Sequence, residues 1–151
     1  MSACIFLAAD VFLKPMEPSR DYPLAINIDT GEIFDGGADD NFFLYPFDDV
    51  DMFTDKKYGV VLEWNYTDGR ARRIMEYIRD ALQQTESVEL WHVWLMGYYE
   101  FEDRPFVHRQ TVSISELTTD HVKHLVDAKI WNIPDKTYPD RPSFYCLTVK
   151  R

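Results

Sequence analysis

Apolar residues change their spacing several times along this chain, and each change marks an element. The first run, Ala3 to Ala9, is continuously apolar and stops at Asp10. It is too short to span a bilayer, has no positively charged residues before it as a signal peptide would, and predicts a β-strand. Residues 11–23, VFLKPMEPSRDYP, hold three prolines and read as a loop. In LAINIDTGEIF, Leu24, Ile26 and Ile28 alternate before Thr30-Gly31, which predicts a tight β-hairpin closed by Ile33. Gly36-Gly37 makes a turn, and NFFLYPF follows as a short strand ended by Pro46.

The pattern becomes more regular after Asp55. YGVVLEW is β-rich, and in TDGRARRIMEYIRDALQQT the residues Ala71, Ile74, Ile78, Ala81 and Leu82 recur on one helical face. Thr67 or Asp68 can cap that helix, and Glu76 is spaced to pair with Arg72 and Arg79. Arg70, Arg72 and Arg73 oppose the helix dipole, and the chain's own acidic segment is the expected compensation, with an anionic ligand as the alternative. SVELWHVWLM reads as a strand apolar on both faces, and FVHRQTVSI as its hairpin partner. In SELTTDHVKHLVDA, Thr118 suits an N-cap, with Leu117 and Val122 spaced as a hydrophobic staple. SFYCLTVKR predicts the last strand.

The order from residue 58 onward is therefore β-α-β-β-α-β. This predicts an α+β fold with a ferredoxin-like antiparallel sheet and two helices on one face. In that arrangement the WHVWL strand lies at an edge, which the N-terminal strands or a second subunit would cover. At 151 residues and 46% hydrophobic content, residues 1–151 are expected to form one domain. Residues 1–55 would be its β-rich acidic part, extending or capping the sheet, and 58–151 its ferredoxin-like part.

Charge adds a second layer. The net charge is −10, and Asp29 to Asp55 holds nine acids with no lysine or arginine, so one stretch carries nearly all of it. Such a balance argues against nucleic acid and anionic membranes as partners. Cys4 and Cys146 lie far apart inside apolar runs and read as reduced, buried thiols of a cytoplasmic protein, with one bridge between the terminal strands as the alternative.

Candidate chemistry is sparse. DGGADDN offers oxygen ligands but lacks the alternation, glycine and terminal glutamate of a calcium loop, and the four histidines form no zinc spacing. Neither a metal nor another cofactor is expected. The chain has no nucleophile elbow, phosphate loop or H-E-x-x-H, so no catalytic residue is assigned. One small-molecule or enzymatic alternative is a pocket of Glu63, Trp64, Trp91, His92, Trp94 and His108, where a buried acid beside histidine would suit proton transfer.

The acidic segment carries the leading expectation. Asp35, Asp39, Asp40, Asp48, Asp49 and Asp51, interleaved with aromatics such as Phe43, combine steering charge with anchoring area for a basic protein partner. A homodimer through the strand around Trp91 is a further arrangement this pattern permits. Taken together, SACIFLAAD, DGGADDNFFL, VLEWNYTDGRAR, VELWHVW, ISELT and RPSFYCL resemble a family of small bacterial single-domain proteins without established activity. In size, acidity and fold class the chain is similar to the immunity proteins of bacterial toxin systems. That resemblance implies toxin neutralisation by covering an active site, and brings no site residues with it.

Overall fold

The computed structural model describes residues 2–17, 25–31, 33–34, 42–95, 107–126 and 144–151. Its strands are β1 (Ser2–Ala9), β2 (Ala25–Ile26), β3 (Ile33–Phe34), β4 (Phe43–Pro46), β5 (Tyr58–Glu63), β6 (Ser87–Leu95), β7 (Val107–Ser113) and β8 (Phe144–Lys150). The helices are α1 (Asp68–Ala81) and α2 (Thr119–Val126), and a 3₁₀ turn spans Val50–Met52. Six strands form one sheet in the order β4-β5-β1-β6-β8-β7, with β2 and β3 paired apart from it.

The α+β class and the element succession from β5 to β8 agree with expectation, but the sheet is not ferredoxin-like. It is mixed, because β7 runs parallel to β8. β7 does not form a hairpin with β6, since β8 lies between them. A parallel pair needs a long crossover, and α2 lies within the connection from β7 to β8. β1 does not cap the sheet but enters its middle, antiparallel to both β5 and β6. The WHVWL strand is consequently central, flanked by β1 and β8, and leaves no free edge at Trp91 for a second subunit. The physical reason is burial. Strands buried on both faces read as continuous apolar runs, and both SACIFLAA and SVELWHVWL have that character. β4, with Pro46 at its end, extends one edge, where a residue without an amide hydrogen is tolerated.

Alternation along the strands separates two cores. Leu7, Leu90, Leu147, Val60 and Leu62 pack with Ile74 and Ile78 of α1 and Leu125 of α2, so both helices cover one face. Cys4, Phe6, Ala8, Trp91, Val93 and Cys146 point to the opposite face and pack with Val50 and Phe53. The two helix starts follow the sequence closely. The Thr67 hydroxyl accepts the Arg70 amide at 3.1 Å, and His121 Nδ1 accepts the Thr118 amide at 3.0 Å, while Leu117 and Val122 are both buried. Glu76 pairs with Arg73 at 3.1 Å rather than with Arg72 or Arg79. Arg70 is buried and donates to the Asn65 carbonyl at 2.9 Å, so the chain's own backbone takes up part of the charge at that helix start.

The hairpin loop is longer than the expected two residues, because Ile26 pairs with Ile33. Asn27 explains the difference. Its side-chain oxygen accepts the amides of Asp29 and Thr30, and its carbonyl accepts that of Gly31, whose φ of 71° suits glycine.

Candidate functional site

The acidic segment divides at the sheet edge. Asp35, Asp39 and Asp40 lie outside the described residues. Phe42 and Leu44 are buried toward the helices, whereas Phe43 and Tyr45 stack on each other at 5.2 Å on the other side of β4. Beyond β4, the Phe47 amide bonds to the Gly59 carbonyl at 2.9 Å, and the chain turns through Asp48-Asp49 into the 3₁₀ turn. The amides of Phe53 and Thr54 close that turn on the Val50 carbonyl, each at 3.1 Å.

This geometry sorts the residues by chemistry. Phe47, Val50 and Phe53, three apart, face inward. Phe6 meets Phe47 at 4.8 Å and Phe53 at 5.3 Å between ring centroids, and Phe53 meets Phe144 at 5.9 Å. Asp48, Asp49 and Asp51 between them, and Asp55 just after, are all exposed. None of these four makes an ion pair among the described residues. The neighbouring Lys56 is turned away, held by Asp10 at 3.2 Å and by the Ser87 hydroxyl at 2.9 Å. The result is an acidic ridge bolted to the sheet through an aromatic underside.

The second set of expected site residues is distributed over the sheet. Glu63 is exposed at the end of β5, opposite Phe43 in register. Trp64 meets Phe42 edge-on at 6.2 Å and packs against the helix-side core. Trp91 lies on the opposite face, stacked with Phe6 at 5.9 Å. His92 and Trp94 share β6 with rings 5.6 Å apart. His92 and His108 occupy one cross-strand row but are separated by Tyr145 of β8. The row brings His92, Tyr145 and His108 together in line, and the intervening sheet keeps Trp91 from His92.

His92 has a defined protonation state. Its Nδ1 lies 2.7 Å from the Leu125 carbonyl and must carry the hydrogen, and burial pushes its pKa down more than that bond raises it. The ring is thus neutral, tying β6 to the end of α2. Its Nε2 has no hydrogen-bond partner among the described residues, and the same holds for the indole nitrogens of Trp64 and Trp94.

One further constellation escaped the sequence reading. Glu89 is only 8% exposed, and it floors a cavity of about 330 Å³ lined also by Asp10, Phe53, Thr54, Lys56 and Arg109. The Thr54 hydroxyl and the Trp91 indole N–H, the latter at 3.3 Å, both bond to Glu89 Oε1. Oε2 faces the Cys146 thiol at 3.9 Å. Arg109 lies over the Trp91 ring, 5.4 Å from its centroid. Burial, then Glu89, pushes the Cys146 thiol up to about 12. The available signal was Glu89 itself, the one carboxylate in the largely apolar run of β6. No group of three or more histidine, cysteine, aspartate or glutamate side chains suited to a metal ion occurs among the described residues. No described helix is long and apolar enough to cross a membrane.

Comparisons with protein-family models, curated proteins and solved structures gave no match for this chain.

Proposed function

We propose that this chain is a binding protein that docks a basic protein partner on its acidic ridge, without chemistry of its own. The supporting observation is the division of labour between residues 47 and 55. Phe47, Val50 and Phe53 are committed to the sheet, so the exposed carboxylates of Asp48, Asp49, Asp51 and Asp55 are held by a packed support. A partner then meets preplaced charge and pays less ordering entropy than it would on a free loop. Exposed carboxylates gathered on one ridge also attract a basic surface over a Debye length, about 8 Å at physiological salt.

Small size, acidity and an α+β fold are further compatible with an immunity-protein role, in which the basic partner is a toxin and the ridge covers its active site. Asp35, Asp39, Asp40 and Phe43 are assigned to the same docking surface on the strength of the sequence pattern.

Affinity capture at low salt from the native host's lysate tests the proposal. Wild type and a D48N/D49N/D51N variant, both checked for folding, are run side by side. A basic protein retained by wild type and lost by the variant is the expected result. Equal retention of every protein by both would overturn the ridge as the docking surface.

A further inference from the structure

Phe53, Thr54 and Asp55 at the end of the ridge also line the Glu89 cavity, which has the chemistry of a small-ligand site. We propose that it binds a small zwitterion of the free amino-acid class, with the ligand's ammonium group at Glu89 and its acid group at Arg109.

The strands set the spacing of the two charges. Glu89 shares a cross-strand row with Thr148 and Thr111, and Trp91 shares the next with Cys146 and Arg109. Glu89 and Arg109 therefore stand on β6 and β7 with β8 between them, and β8 presents only the short side chains of Cys146 and Thr148 there. The floor between the charges stays low. Neither Glu89 nor Arg109 belongs to an ion pair among the described residues, although both line the cavity. Each has bonding capacity left. Oε2 of Glu89 faces a thiol at 3.9 Å, a weak donor at long range, while Arg109 rests on an indole face, a contact that needs none of its N–H donors.

Charge balance then selects the ligand. A simple cation entering the cavity meets Lys56 and Arg109; a simple anion meets Glu89, Asp10 and Asp55. A molecule carrying both signs a few bonds apart satisfies the two ends at once. The cavity volume, about 330 Å³, is at the lower end of the range for small-molecule sites. Glu89 is held at 8% exposure by the Thr54 hydroxyl and the Trp91 indole, with no ion pair among the described residues; burying a carboxylate this way costs stability, and a ligand that supplies the cation accounts for the arrangement.

Isothermal titration calorimetry with glycine, L-serine and L-glutamine tests this, with acetate and ethylamine as probes bearing one charge each. Wild type is compared with Arg109→Gln, which changes an exposed side chain, and with Glu89→Gln, which retains an oxygen for Thr54 and Trp91. At least one amino acid should bind wild type, at least tenfold tighter than acetate or ethylamine. Arg109→Gln should weaken it at least tenfold, about 1.4 kcal/mol. Glu89→Gln should do the same if it folds; if it does not, Arg109→Gln decides alone. Three results would overturn the assignment: no binding of any amino acid to wild type, undiminished binding by Arg109→Gln, or a singly charged probe binding as tightly as the amino acid.

Discussion

Gly59 and Val50 are packed so closely that a β-carbon on Gly59 would lie 2.9 Å from Val50 Cγ2 and 3.0 Å from its Cβ. That contact seats the acidic ridge on the sheet. The missing side chain at Gly59 lets the 3₁₀ turn approach β5, and Val50 is buried as a result. Gly59→Ala should therefore push the turn outward. Overpacking of this kind costs about 1–3 kcal/mol. Urea denaturation should show that loss, and affinity for a docked partner should fall with no acid altered. An unchanged midpoint would mean that the turn yields freely and the ridge is not held.

Phe53→Ala separates anchoring from charge. Phe53 meets Phe6, Phe47 and Phe144, so truncation should cost on the order of 3–5 kcal/mol in the same measurement. Asp51→Asn, on the exposed side of the turn, should stay within about 0.5 kcal/mol of wild type. Similar losses from both would contradict the inward and outward sorting of the segment.

Much of the local structure was written in the sequence. Ala71, Ile74 and Ile78 recur at helical spacing behind a Thr67 cap, and all three are buried as that spacing requires. Sheet order was less legible because strand partners are set by contacts between distant residues. Leu7 pairs with Val60 and with Leu90, and nothing local in IFLAA states either choice. The continuous apolar character of β1 and β6 was nevertheless a clue to central positions. Dense aromatics in FFLYPF pointed to recognition, yet Phe42 and Phe47 serve opposite cores on either side of the sheet. Glu89 stayed hidden because its partners Thr54 and Cys146, and Arg109 on the same cavity, come from three other parts of the chain.

Both cysteines should be inert in the native state. Burial, followed by the nearby Glu63, raises Cys4 to about 11, and Cys146 stands at about 12. Thiolate is the reactive form, so iodoacetamide at pH 8 should label neither until denaturant is added. Rapid native labelling of either cysteine, read by mass spectrometry, would contradict the packing of the outer core.

His92 should make the fold sensitive to mild acid. Its folded pKa is depressed below the ordinary value near 6.5, so the unfolded chain takes up the proton first. The stabilising contribution is complete above about pH 6.5 and is lost as the pH falls through the lower folded value. His92→Asn keeps a donor for the Leu125 carbonyl and removes the titration. Its stability should depend less steeply on pH between about 7 and 5 than that of wild type. Parallel profiles would assign the acid sensitivity elsewhere.

If preplaced carboxylates on the ridge steer a basic partner, association kinetics should show it. With the captured partner, the association rate constant is measured against ionic strength for wild type and D48N/D49N/D51N. The rate should fall steeply with salt for wild type and follow a slower, flatter profile for the variant, converging at high salt. Identical salt dependence in the two proteins would contradict it.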